Sequence, residues 1–306
     1  GTDILETDGN KVTGRFVVEK DLDDDTMLYG SFTRGYKPGG SNLTYGREGV
    51  VAQIVVLPTF QEEIVDAFEV GLKTDLADGR VRLNTAAFLY NYEGLQYQAT
   101  DPEVFEGGVG NIPDSEIYGA ELELSTFLSD SVILDLRMSW LDTEITANHL
   151  ALDNVESEAA TNALLAQGIG LFSNDVQVAR AGRIQNVKGN ELAKTPSFTG
   201  NVALNWSNDH NWGELKGTLQ YTYRGGFKHR IFNNSQTDLV PNYDVLDIML
   251  GFYPASAENQ HFEIIGKNLF DQDGINARFT DVFGVGATGD ELIAPRQIML
   301  RFVTQF

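Results

Sequence analysis

The chain has 306 residues, with 44 acidic against 22 basic side chains and a formal net charge of -22. That surplus excludes a nucleic-acid partner, because neutralising phosphates needs clustered Lys and Arg. The absence of cysteine excludes disulfides, thiolate metal sites and thiol catalysis. Thirty-one glycines, 18 phenylalanines and 42% hydrophobic residues describe an ordered, aromatic-rich chain rather than a disordered acidic one. No stretch approaches the roughly 18 consecutive apolar residues of a membrane-spanning helix, residues 1–6 lack the regions of a signal peptide, and the start without Met reads as a fragment or processed chain.

In chain order the dominant signal is alternation with a period of two. Strands are expected at 12–20 and 27–36. From 68 to 76 the even positions are apolar while Glu69, Lys73 and Asp75 lie between them, and after the turn 77–79 Val81, Leu83, Ala87 and Leu89 continue an apolar face opposite Arg82 and Asn84. The pattern recurs. Tyr118, Leu122 and Leu124 alternate with Glu121 and Glu123; after the turn 129–131, Leu134, Leu136 and Met138 alternate with Asp135 and Arg137. Val202, Leu204 and Trp206 lead to Leu215, Leu219 and Tyr221, whose opposite face carries Lys216, Gln220 and Arg224. The strand of Leu246, Ile248, Leu250 and Phe252 is expected to pair with that of Phe262 and Ile264, and the chain closes on Ile298, Leu300, Phe302 and Phe306. A short helix is expected over 155–167.

This gives about eleven strands joined as successive hairpins. Connections at 21–25, 77–79, 129–131, 208–212 and 254–260 are short, whereas those between them are expected to run to roughly 15 to 50 residues, far above the usual median near five. Alternation of short and long connections puts all short turns at one rim and all long loops at the other, as in an antiparallel up-and-down transmembrane β-barrel with short periplasmic turns and long extracellular loops. Strands of about 10 to 14 residues suit a tilted bilayer crossing. Aromatics near strand ends (Tyr90, Tyr92, Trp140, Trp206, Tyr221, Tyr223, Phe252, Tyr253) suit an interfacial girdle. The all-β alternative is a soluble sandwich, in which the faces of Leu122, Leu134 and Leu204 would point into a closed core.

Several segments together resemble a known family. Leu28-Tyr29-Gly30-Ser31-Phe32-Thr33-Arg34-Gly35-Tyr36-Lys37-Pro38-Gly39-Gly40 resembles the tyrosine-rich strand of TonB-dependent outer-membrane receptors. Phe68-Glu69-Val70-Gly71-Leu72-Lys73-Thr74 is similar to the family's Glu-x-Gly-x-Lys strand, Ile117-Tyr118-Gly119-Ala120-Glu121-Leu122-Glu123 to its x-Gly-x-Glu strand, and Gly266-Lys267-Asn268-Leu269-Phe270-Asp271 to the Asn-Leu-Phe-Asp segment before the closing strand. The resemblance implies a 22-stranded barrel filled by a plug domain, with residues 1–306 as its C-terminal half and with the plug and the TonB-contacting box lying outside this chain. It further implies a bacterial outer-membrane location, with lipid and lipopolysaccharide as neighbours. The implied function is energy-coupled uptake, through the TonB complex, of a scarce ligand such as a ferric siderophore, with cobalamin or oligosaccharide as other family substrates; no cofactor and no covalent chemistry are implied. Phe302 and Phe306 would carry the C-terminal assembly signal.

Two groups of site residues follow. Glu69, Lys73, Arg82, Asn84, Glu121, Glu123, Asp135, Arg137, Lys216 and Gln220 are expected on a polar lumen wall facing the plug, either as a binding surface or as mutually paired, hydrated charges with no member individually essential. Ligand contacts are expected at Arg34, Tyr36 and Lys37, at Tyr92 and Tyr97, and at Arg224, Phe227, His229 and Arg230, a basic and aromatic cluster whose guanidinium groups would fork on the oxygens of an anionic chelate. The same cluster could instead contact lipopolysaccharide phosphates or sit in the girdle.

Other matches carry no chemistry. Gly284-Val285-Gly286-Ala287-Thr288-Gly289 fits GxGxxG without a preceding βαβ strand, and the acidic turns at 21–25 and 271–274 lack the spacing of an EF-hand. The four histidines, His149, His210, His229 and His261, have no metal-ligand spacing, and no Gly-x-Ser-x-Gly elbow occurs. An outer-membrane enzyme barrel would need a Ser/His/Asp or paired-carboxylate constellation at one site.

Overall fold

The computed structural model describes residues 11–42, 57–101, 106–257, 259–280 and 288–305. The strands β1 (Gly14–Asp21), β2 (Thr26–Lys37), β3 (Glu63–Leu76), β4 (Val81–Asp101), β5 (Glu106–Ser129), β6 (Val132–Ile145), β7 (Phe198–His210), β8 (Gly213–Arg224), β9 (Tyr243–Pro254), β10 (Gln260–Lys267) and β11 (Gln297–Thr304) follow one another in a single eleven-stranded sheet. Every neighbouring pair is antiparallel. The count and the hairpin order match the periodicity, including Leu250 opposite Ile264 and Phe252 opposite Phe262.

Register fixes the faces, since side chains one position apart point to opposite sides. Glu69 lies opposite Phe88, Asn84 opposite Glu123, Glu123 opposite Arg137, Asp135 opposite Ala203 and Ala203 opposite Gln220, so the ten residues of the expected polar wall share one face. The other face carries Phe68, Leu89, Leu122, Leu134, Leu204 and Leu219. No second large sheet covers it among the described residues, where the remaining sheets are two-stranded ribbons. Val70 stays 52% exposed, Phe262 49% and Leu300 81%. A soluble sandwich would bury these side chains, so that alternative is excluded; bare apolar area of this extent requires a nonaqueous neighbour.

Register also corrects the girdle. Trp140, Trp206, Tyr221, Tyr223 and Phe252 lie on the apolar face, but Tyr90, Tyr92 and Tyr253 fall on the polar one, because each is an even number of residues from Asn84 or an odd number from Phe252. Tyr90 stacks there on Phe88, with ring centroids 4.9 Å apart.

The Glu-x-Gly-x-Lys strand has a local physical cause. Glu69, Gly71 and Lys73 point the same way, and the ring of Tyr29 on β2 lies across Gly71. Its hydroxyl donates to Glu69 Oε1 (2.6 Å), and Lys73 Nζ sits 5.6 Å from its centroid. A Cβ at position 71 would run into the ring, so only glycine admits this cross-strand cover. The Asn-Leu-Phe-Asp segment works similarly at the closing strand. Buried Asn268 (φ 48°) donates to the carbonyls of Gln272 and Ala294, and Asp271 accepts from the backbone and guanidinium of Arg296, immediately before β11. Phe302 packs from β11 onto Phe262 (4.9 Å), whereas Phe306 lies outside the described residues.

Short connections fall at 22–25, 77–80, 130–131, 211–212 and 255–259, all at one end of the sheet. In the first, Asp23 Oδ1 accepts from the Asp25 N–H (3.0 Å), so this acidic run is a turn. The long connections are 38–62, 146–197, 225–242 and 268–296. The fifth differs from expectation: β4 and β5 run on as a ribbon that leaves only 102–105 between them. The ribbon continues through Gly94 (φ 69°), where a Cβ would meet the Glu62 carbonyl at 2.5 Å.

Loop 146–197 contains α1 (Asn154–Leu165), close to the expected helix, and α2 (Asn174–Ala181), which was not expected. Asp153 caps α1 by accepting from the Val155 and Glu156 N–H groups, and Ser173 caps α2. The hydrophobic core gathers at the loop end of the sheet: Ile112 and Ile145, in the upper parts of β5 and β6, are buried together with Ala151, Val187, Leu192 and Ile231 of the connections.

Gly71→Val is predicted to displace Tyr29 and destabilise the barrel by about 1–3 kcal/mol, read as a lower folded fraction by heat-modifiable gel mobility. Gly14→Ala, where a Cβ meets nothing within 4 Å, is the matched control and leaves the folded fraction unchanged.

Candidate functional site

The polar face is a hydrogen-bonded lattice. Arg82 forks on Asp75 (2.8 and 3.1 Å), Asn84 donates to Glu123 (3.4 Å), and Arg137 lies 4.0 Å from the same carboxylate. Asn205 donates to Asp135 (2.8 Å) and accepts from Thr218 (2.8 Å), Lys216 pairs with Glu214 (2.9 Å), and Gln220 reaches Thr222 only at 3.5 Å. Arg301 pairs with Glu263, and Lys267 with Asp247 (2.7 Å). Many of the wall's carboxylates and cations are therefore paired with one another across neighbouring strands, while Glu69 accepts from the Tyr29 hydroxyl.

Above the wall the loops interlock through Arg230. Its guanidinium donates to Asp153 Oδ1 (2.7 Å), Asn154 Oδ1 (3.0 Å), Asp238 Oδ1 (2.7 Å) and Thr237 Oγ1 (3.2 Å). Both carboxylates are fully buried, and Asp153 is at the same time the N-cap of α1. One side chain thus ties loop 225–242 to loop 146–197, helped by Asn190 donating to the Ile231 carbonyl (2.8 Å). Loop 268–296 joins through its ribbon Ile275–Thr280 and Thr288–Leu292. Arg278 forks on Asp290 (2.6 and 2.8 Å) and donates to the Leu239 carbonyl (2.9 Å), and Arg224, between the rings of Phe227 and Tyr243 (4.8 and 4.4 Å), donates to the carbonyls of Ile275 and Asn276.

The residues expected to contact ligand divide accordingly. Phe227, His229 and Arg230 lie inside the interlocked loops and direct their polar atoms to protein partners, so in this arrangement the basic cluster acts as an internal staple. Arg224 is engaged in the same way. Tyr97 is in the β4 ribbon, its hydroxyl against His149 Nε2 (2.9 Å). Arg34 and Tyr36 have the parity of Phe32 and so sit on the apolar side, Arg34 paired with Asp66. Lys37, exposed, and Tyr92, half-buried, remain at the upper edge of the polar face.

His229 also brings Thr280 Oγ1 (2.8 Å) and the Asp238 carboxylate (3.9 Å) around one imidazole. The trio lacks the wiring of a triad. Nδ1 faces the Asp238 backbone carbonyl (3.2 Å), and the carboxylate is taken by Arg230 and the Asn234 N–H. Burial pushes the His149 and His229 imidazoles below their ordinary 6.5, in His229 against the pull of Asp238. The Arg278 fork holds Asp290 below the ordinary carboxylate value of 3.8.

A single-layer antiparallel sheet with one bare apolar face, one self-neutralised polar face and all long connections gathered at one end is the wall of an outer-membrane β-barrel. The family described as "TonB dependent receptor-like, beta-barrel" matches residues 2–269, and the chain belongs to it; it is an outer-membrane protein of the Gram-negative type. Among solved structures it is similar to the ferric yersiniabactin uptake receptor FyuA from Yersinia pestis (TM-score 0.67, 20% identity, 97% of this chain and 37% of that one). It is also similar to the siderophore receptor PiuA from Acinetobacter baumannii (0.65, 17%, 95% and 35%) and to the copper transporter OprC (0.59, 13%, 96% and 39%). The chain thus spans between a third and two fifths of these proteins, and the likeness shows the fold.

Removing Arg230 as Arg230→Leu leaves two buried carboxylates uncompensated, a loss of about 3–5 kcal/mol. The prediction is faster hydrogen exchange across 146–197 and 225–242 with unchanged protection in β6 and β7.

The pH dependence has a fixed sign. As pH falls below 6.5 the imidazoles of an opened cap take up protons before those of the closed one, so the cap loses stability until the depressed folded values are reached. The Asp290 contribution is present above 3.8 and lost only as pH falls through its lower folded value. Exchange protection in the loops is therefore predicted to drop between pH 7.5 and 5.5, while the strands keep theirs.

Proposed function

We propose that this chain supplies eleven strands of a 22-stranded barrel in a TonB-dependent transporter that takes up a scarce extracellular ligand, a ferric siderophore fitting best. The carrying observation is the polar face: a charged, hydrogen-bonded wall opposite a bare apolar one suits a wide lumen holding a separate plug domain rather than a closed side-chain core. Among the described residues β1 and β11 each have one unpaired edge. An open edge cannot face lipid, which supports further strands pairing there to complete the wall.

In this reading the long loops capture the ligand, with Lys37 and Tyr92 at the mouth of the lumen. The loop staple keeps the capture surface ordered before the ligand arrives, which lowers the entropy lost on binding. Energy would reach the plug through the inner-membrane TonB complex, and the wall residues from Glu69 to Gln220 would hold the plug's polar surface. The siderophore assignment draws support from the likeness to FyuA, a ferric yersiniabactin uptake receptor, and to PiuA, a siderophore receptor.

The test is uptake of radio-iron chelates by cells carrying or lacking the full-length receptor. Accumulation is predicted to require both the receptor and TonB. Accumulation that persists without TonB, or the absence of any receptor-dependent chelate uptake, contradicts the proposal.

A further inference from the structure

The ribbon of loop 268–296, in which Ile275–Thr280 pairs with Thr288–Leu292, has its polarity inverted. The Arg278 side chain is only 15% exposed and Thr280 is half-buried, whereas Ala277 is exposed, as are Phe279 (64%) and Leu292 (57%). A ribbon standing free in water would bury its apolar residues and expose its charge. Register accounts for the sorting. Phe279 lies opposite Gly289, Ala277 opposite Glu291 and, across a register shift, Ile275 opposite Leu292, so these share one face; Arg278 opposite Asp290 and Thr280 opposite Thr288 share the other.

The polar face has its occupant. Arg278 donates to the carbonyls of Thr237 (3.4 Å) and Leu239 (2.9 Å), and Thr280 Oγ1 lies 2.8 Å from His229 Nε2, all in loop 225–242. Arg224 at the top of β8 reaches the carbonyls of Ile275 and Asn276. This face therefore looks back towards β8 and β9. The two faces of one ribbon point opposite ways, so Ala277, Phe279 and Leu292 look forward, towards the side on which β11 has no partner. The Phe279 ring extends across Gly289, where a Cβ would meet it at 2.5 Å. Glycine there lets the ring lie along the ribbon and present its free side outward.

We propose that this apolar face is an interface inside the complete receptor, and that the segment docked on it is the loop leaving the strand that pairs with β11. β11 runs from the loop end towards the short turns. An antiparallel partner on its free edge runs up to the loop end, and its outgoing connection emerges beside the ribbon. The chain covers 37% of FyuA and 35% of PiuA, which leaves ample length for such a loop in a receptor of that size. The docked segment is apolar, because Phe279, Ala277, Gly289 and Leu292 bring no polar side chain to it and the Glu291 carboxylate already accepts from Asn276 (3.2 Å). Burial of Phe279 and Leu292 then acts as a clasp over the seam where the closing strand meets the rest of the wall. The interface rests on the barrel reading proposed above.

The test places a benzophenone amino acid at position 279 or 292 of the full-length receptor, in bilayers containing lipopolysaccharide, and maps the photoproducts by mass spectrometry. Val178, 63% exposed on α2, is the control position. Cross-links from 279 and 292 to one loop preceding Gly1 are expected, with none to that loop from 178. The double variant Phe279→Ser, Leu292→Ser is expected to speed hydrogen exchange in the same loop about tenfold while the strands keep their protection. Cross-links confined to lipopolysaccharide, to a plug segment or to residues 1–306 overturn the interface and leave the barrel reading intact. So does an absence of cross-links in a receptor shown to be folded by its heat-modifiable mobility, or unchanged exchange in the double variant. If no strand of the full-length protein pairs with β11, the barrel reading fails and the interface falls with it.

Discussion

A strand in hydrocarbon cannot leave a backbone N–H or carbonyl without a partner, and it cannot present a charge to the lipid on the outer side of the sheet. Between the two edge strands both conditions are met by one device, the pairing of each strand with its sequence neighbour in a register that keeps one parity apolar through the middle of the strands. A slip of one residue at any hairpin would turn a strand's Arg, Lys, Asp and Glu towards lipid, at about 2–4 kcal/mol for each Arg or Lys at the bilayer midplane. The rest follows from holding that register. Cross-strand cover by Tyr29 over Gly71, the Asp271 and Arg296 clamp before β11, and tight turns at one rim all act to fix it.

The second consequence concerns where the core lies. A barrel wall has lipid on one side and a wetted lumen on the other, so the sheet has little interior of its own. Close packing is found instead where loops 146–197 and 225–242 meet the upper ends of β4, β5 and β6, around Ile112, Ile145 and Val187. Arg230, with two buried carboxylates, makes this cap specific. Burial at this end also lowers the pKa of His149 and His229, so the loop end of the molecule responds to pH.

What the sequence disclosed and what it hid follow from range. The period of two is local, and it reported the strands, their faces and the short turns almost without tertiary information, with a break from it at the helix α1. Glycines at 107, 108 and 110 interrupt that period, which is why the upper ribbon of β4 and β5 read as a loop, and α2 is too short to show a helical period. The phase of Tyr90, Tyr92 and Tyr253 is present in the sequence, but an aromatic near a strand end suits a girdle on either face until the register is known. The partners of Arg230 lie 77 and 8 residues away, so composition could mark Arg224, Phe227, His229 and Arg230 as a cluster but not whether it turned outward or inward.

From Val132 to Trp140 the even-numbered residues of β6 face lipid and the odd-numbered ones face the wetted side. Because the chain has no cysteine, single cysteines can be placed at each position from 132 to 141 of the full-length receptor in bilayers, spin-labelled, and read for collision with oxygen, which partitions into lipid, and with a polar nickel chelate, which does not. The account predicts oxygen accessibility peaking at 134, 136 and 138 and nickel accessibility at 135 and 137. The reverse phase, or no period of two, would contradict it.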